Sequence, residues 1–158
     1  MRFNLNGSDV DYGGNPDMTL LDYLKSVAGV PVTSVGCSGG ANCGACTVLV
    51  DGRAVLSCRT PMAKIAGALV STSDGAGQVI QDIFSLSLRS MGSPYCHYCV
   101  PETVMKARAF LEKNPDPTPE QSRRAIDRHL CHCIGSGNVA RSIMEAAEQL
   151  RERKEEKA

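Results

Sequence analysis

Apolar and polar residues alternate at the start of the chain. Phe3 and Leu5 precede Asn6-Gly7 and Val10 and Tyr12 follow it, a period of two on either side of a turn dipeptide. This predicts a hairpin of two short strands. In MTLLDYLKSVAG the period lengthens: Leu20, Leu21, Leu24, Val27 and Ala28 share one helical face and Gly29 ends it. A helix of about three turns is therefore expected on the hairpin. Period two returns in CTVLVDGRAVLSC, residues 46–58, read as strand, Asp51-Gly52 turn and strand, and ALVST at 68–72 reads as a last short strand. After SDGAG, residues 73–77, which has linker composition, the pattern is helical throughout. Val79, Ile80, Ile83, Phe84 and Leu88 mark one helix, and a second runs from about Val100 to Glu112 before NPDPTP. Thr118-Pro119-Glu120-Gln121 opens a third, to about His129, with an N-cap, a first-turn proline and Gln three residues after the cap. A fourth, from about Gly137 to Arg151, turns Val139, Ile143, Ala146, Ala147 and Leu150 inward and ends in the charged RERKEEKA. The fold class is α+β, with a domain boundary that gives 1–74 to the sheet and 75–158 to the helices.

Composition narrows the function classes. Seventeen basic and seventeen acidic residues leave no net charge, so no global field draws the chain to nucleic acid or an anionic membrane. MRFNLNGSDV lacks the apolar core of a signal peptide, and no stretch approaches the roughly 20 apolar residues of a membrane span. A cytoplasmic location without membrane insertion is expected. In a reducing compartment eight cysteines point to metal binding more than to disulfides.

Cys37, Cys43, Cys46 and Cys58 lie within 23 residues rich in glycine, in GCSGGANCGACTVLVDGRAVLSC. Only Cys43 and Cys46 form the C-x-x-C pair of a zinc knuckle, and Cys58 arrives late, at the open end of the hairpin beside Cys46. Three ligands on a loop and one distant ligand is the order of a plant-type [2Fe–2S] site. The glycines suit it, because a loop around a negatively charged cluster must turn its N–H groups inward. The usual four residues between the first two ligands are five here, SGGAN, so the loop carries one extra residue, with Ser38 or Asn42 as the candidate bulge. The competing reading is a redox dithiol at Cys43 and Cys46 with structural thiols elsewhere. Haem attachment fails, because Thr47 and not His follows Cys46.

The second set is Cys96-x-x-Cys99 and Cys131-x-Cys133, each pair just before a predicted helix. If the helices bundle, four thiolates converge at one end, for a cluster or for zinc. A Rieske order, C-x-H then C-x-x-H, is absent. His97 and His132 flank these cysteines, and with His129 they read as groups beside the site rather than ligands; their protonation could move its potential.

With GCSGGANCGACTVLVDGRAVLSC, CHYCVPETVM and LCHCIG in this order, the chain from residue 2 to about 150 resembles the small iron–sulfur subunit of the molybdenum hydroxylases, the xanthine oxidase and carbon monoxide dehydrogenase family. The resemblance implies a plant-type ferredoxin (β-grasp) domain with a [2Fe–2S] cluster on Cys37, Cys43, Cys46 and Cys58. It implies a following four-helix-bundle domain with a second [2Fe–2S] cluster on Cys96, Cys99, Cys131 and Cys133. It further implies a non-catalytic electron-transfer role between a large subunit bearing molybdopterin and a medium subunit bearing FAD. The departures gather around the second set. The family's Gln before its first cysteine, bonded to the pterin, is Tyr95 here, and the Gly after it is His97. Its Pro-Gly reads Pro101-Glu102, and its Gly-Asn-Leu-Cys-Arg-Cys-Thr-Gly reads Arg128-His129-Leu130-Cys131-His132-Cys133-Ile134-Gly135. Both thiolates stay while the pterin-facing side, Tyr95, His97 and His132, is rebuilt. The alternatives are a free-standing two-cluster ferredoxin, which would ordinarily be strongly acidic, and a zinc-stabilised interaction module.

Overall fold

A computed structural model describes residues 1–30, 37, 40–75, 78–96, 99–126 and 134–156. The chain divides into two compact units, Met1–Ala76 and Gly77–Ala158.

The first unit is a mixed five-stranded sheet in the order β2-β1-β5-β3-β4. Strands β1 (Arg2–Leu5) and β2 (Ser8–Asp11) pair antiparallel across Asn6-Gly7, where both residues take positive φ, 52° and 88°. That is the geometry an Asn-Gly hairpin turn provides at low cost. Strands β3 (Thr47–Val50) and β4 (Arg53–Leu56) repeat the device at Asp51-Gly52, and β5 (Leu69–Ser71) enters between the hairpins, parallel to β1 and antiparallel to β3. The expected last strand is thus the central one. Helix α1 (Leu20–Ser26) buries Leu20, Tyr23 and Leu24 with Phe3, Val48 and Val70. The Tyr23 ring stands edge-on to Phe3 and Tyr12, with centroids 5.5 and 5.1 Å away, a favoured aromatic geometry.

Helix α1 is two turns long, not three. Thr19 caps it by accepting from the Asp22 amide at 3.1 Å, and at its other end the Val27 and Ala28 amides both donate to the Tyr23 carbonyl before Gly29 turns at φ 63°. Val27, assigned to the inner face by its spacing, is 56% exposed as a result.

The second unit is helical: α2 (Gln78–Ser90), α3 (Val100–Lys113), α4 (Pro119–Ala125) and α5 (Ser136–Glu155). Ile83, Phe84 and Leu88 of α2 pack with Val104 of α3 and Val139 and Ile143 of α5. Thr118 caps α4 with the full reciprocal box, accepting from the Gln121 amide while Gln121 reaches back to the Thr118 amide. The helix ends at Ala125 rather than near His129, because Ile126 leaves helical geometry and is buried in the core. Residues 127–129 of that expected helix lie outside the described residues. Among the described residues, no helix is long and apolar enough to cross a membrane.

Candidate metal centres

The pairing of Thr47 with Leu56 closes the β3–β4 hairpin and sets Cys46 and Ser57 side by side just beyond it. There the Ser57 amide donates to the Cys46 carbonyl at 3.1 Å, and its hydroxyl donates to the same oxygen at 2.8 Å. A single 3-10 turn, Ser57–Arg59, then carries Cys58 back to the Cys46 thiol, with which it shares a hydrogen bond. On the facing loop Cys43 Sγ lies 3.4 Å from Cys37 Sγ. Thr47 pins the stretch from Gly44 by donating to its carbonyl through both amide and hydroxyl, at 2.9 and 2.6 Å.

Backbone amides point at these sulfurs. The Ala41 N–H bonds to Cys58 and the Ala45 N–H to Cys43. To aim its amide, Ala41 takes φ 60°, a left-handed conformation that costs a residue with a Cβ about 1 kcal/mol. Gly40 has a tighter reason for its identity, since a Cβ there would stand 3.1 Å from the Cys37 carbonyl oxygen. Ser38, one of the two candidate bulge residues, is outside the described residues.

Burial and neighbouring thiols act on two of these groups in particular. Burial pushes the Cys58 thiol up to about 11, with the Cys46 hydrogen bond and charge adding to it and the Ala41 amide opposing. Burial also raises Cys43, opposed by the Ala45 amide and reinforced by Cys37 and Cys46. Cys43 and Cys58 thus hold their protons more firmly than free thiols, so a metal that binds there must expel them. Among the described residues no group of three or more His, Cys, Asp or Glu is placed to hold a single metal ion. The thiols come instead as two pairs, Cys37 with Cys43 and Cys46 with Cys58. A zinc site draws four sulfurs to one centre, whereas a [2Fe–2S] cluster takes two ligands on each iron. The pairs and the inward amides fit the cluster.

In the second unit, buried Cys99 is the N-cap residue of α3, and half-buried Cys96 accepts at its carbonyl from the Val100 amide at 3.0 Å. Cys131 and Cys133, with His97, His129 and His132, lie outside the described residues. The segment that carries Cys131 and Cys133 is bracketed by Ile126 and Ile134, both buried in the helical core. The loop before Cys96 is tied to the first turn of α5 by Asn138 Nδ2 donating to Ser93 Oγ at 2.6 Å.

The departures from the family pattern that fall among the described residues turn inward. Tyr95 is half-buried and packs on the helical core, its phenol sharing a hydrogen bond with Gln81; burial first, then the charges of Asp82 and Cys99, raise its pKa against that bond. Ile134 is buried in the same core, and Glu102 is buried in the first turn of α3, paired with Lys106. Sequence reasoning did not single out Ser57, Thr103 or the Glu102–Lys106 pair. The one signal available for the pair was its spacing of four on a helix.

Residues 3–67 match the family described as "2Fe-2S iron-sulfur cluster binding domain", and residues 72–154 match "[2Fe-2S] binding domain". The nicotinate dehydrogenase small FeS subunit of Eubacterium barkeri is 32% identical over 94% of this chain and 95% of its own length. Among solved structures, quinoline 2-oxidoreductase of Pseudomonas putida superposes with a TM-score of 0.81 at 30% identity, covering 96% of both chains. Aldehyde oxidoreductase of Desulfovibrio desulfuricans gives 0.83 at 31% identity over 96% of this chain, which spans only 17% of that longer one. With both cluster-binding domains present in order over nearly its whole length, the chain belongs to the small [2Fe–2S] electron-transfer subunits of the multi-subunit molybdenum hydroxylases.

Proposed function

We propose that this chain relays single electrons from a molybdopterin site on a large subunit to FAD on a medium one. Cys37, Cys43, Cys46 and Cys58 are the ligands of the first cluster in this reading, and Cys96, Cys99, Cys131 and Cys133 those of the second. When bound, a [2Fe–2S] cluster supplies a one-electron couple, which divides a two-electron oxidation into single steps. The chain's own residues hold the sulfurs in pairs, present the Ala41 and Ala45 amides to them and keep the Cys46 and Cys99 ends dry. The observation that carries the reading is the meeting of four thiols as two pairs at the end of the β3–β4 hairpin. A chain without net charge suits a permanent complex better than brief encounters with diffusible partners. Eight thiols also suit a reducing compartment, and on that ground we assign the complex to the cytoplasm.

Two relatives with near-complete mutual coverage are named for nicotinate and quinoline, so an N-heteroaromatic ring is the substrate class to try first. The test is purification of the native complex followed by anaerobic addition of nicotinate and quinoline. The reading expects two larger chains, molybdenum and flavin to co-purify, and a substrate to bleach the visible iron–sulfur absorption. Purification as a lone chain that no molybdenum-bearing partner reduces would overturn it.

A further inference from the structure

Among the described cysteines one in each unit is buried while the others are half-buried, Cys46 in the first unit and Cys99 in the second. Each has its carbonyl oxygen capped twice by a single hydroxyl residue. Ser57, fully buried at 0% exposure, donates to the Cys46 carbonyl through N–H and Oγ at 3.1 and 2.8 Å. Thr103, equally deep, donates to the Cys99 carbonyl through N–H and Oγ1 at 3.0 and 2.8 Å. A threonine that bonds back to the carbonyl four residues earlier is common in helices and by itself says little. Ser57 is in no such helix, and its partner is eleven residues away across a hairpin. The same double cap thus reaches both buried cysteines from two unrelated local structures, and Thr47 makes it on the Gly44 carbonyl of the same cysteine loop.

A carbonyl held by one amide can still rock about that bond. A second donor from another direction fixes the peptide plane and with it the direction of the cysteine's Cα–Cβ bond. We propose that Ser57 and Thr103 are positioning residues for electron transfer, each locking the backbone of one buried ligand cysteine so that its sulfur keeps its place when the metal changes charge. This rests on the reading of Cys46 and Cys99 as cluster ligands, and it assigns no contact between either hydroxyl and a cluster. Support one layer out from a ligand is what preorganised sites require.

The two clusters serve as each other's control. The protein is purified as its full chain without air in wild-type, S57A, T103V and T103S forms, with the EPR signals assigned through C46S. S57A is expected to change the g-anisotropy of the first cluster and to speed its loss of iron to a chelator about five- to tenfold, the worth of one buried hydrogen bond. The second cluster should be untouched. T103V is expected to do the converse, and T103S, which keeps the hydroxyl, to restore wild-type behaviour. If S57A does not fold, the T103V and T103S pair carries the test alone. A variant that leaves its own cluster at wild-type signal and rate, or that shifts both clusters alike, overturns the proposal. Wild-type protein without two [2Fe–2S] signals would overturn the underlying reading, and the proposal with it.

Discussion

Replacing a ligand thiol by a hydroxyl removes a soft donor from iron and leaves the fold's hairpin intact. In Cys46→Ser we therefore expect the first cluster to be lost and the second kept, with iron falling from about four to about two per chain and one EPR signal remaining. Iron analysis and EPR on the purified variant check this, and loss of both signals would show that the two sites do not assemble independently. At this scale cluster chemistry was legible, because the order of the cysteines and the glycines between them narrow what fits, and both cluster-binding family models match the chain. Ser57 was not. A serine before a cysteine has no pattern of its own, and only closure of the β3–β4 hairpin brings it to the Cys46 carbonyl. Ala41 was equally hidden, since its left-handed backbone matters only once its amide is seen to meet Cys58.

Elements meet function at the first turn of α3, where Glu102, 3% exposed, pairs with Lys106 one turn on. Burial raises the pKa of Glu102, with the hydrogen bond and charge of Lys106 opposing. A carboxyl raised in the fold is tolerated best in its protonated form. Its stabilising balance is therefore complete below the ordinary carboxyl range and is lost as pH rises through the folded value. Lys106→Ala removes an ion-pair partner of that buried carboxyl, and we expect a cost of about 2 kcal/mol at high pH that shrinks as the pH falls and the carboxyl becomes protonated. Denaturant unfolding across the pH range measures it, and a cost independent of pH would sink the assignment. Thr118→Ala breaks the capping box of α4 at a cost of about 1 kcal/mol, read from the shift in unfolding midpoint. Helix and strand types followed from the period of the apolar residues, but their ends did not. Helix α1 stops where two amides compete for the Tyr23 carbonyl, and α4 where burial of Ile126 outweighs continuing the helix. Both depend on tertiary partners that local sequence does not carry.

For the whole molecule, two units with separate cores each present cysteines at the end of an element, one at a hairpin and one at a helix N-terminus. The order of the two domains was legible from the switch between period two and period three to four. The rebuilding around the second cysteine set was visible as altered residues, but its direction was not. Tyr95, Glu102 and Ile134 turn toward the helical unit's own interior, which only packing reveals. The most direct measurement is iron, sulfide and zinc content per chain of protein purified without air, with EPR after partial and full reduction. The account predicts about four irons and four sulfides, no zinc, and two distinguishable rhombic [2Fe–2S] signals. About two irons with one zinc and a single signal would contradict it, because the second site would then be structural and the two-cluster relay could not operate.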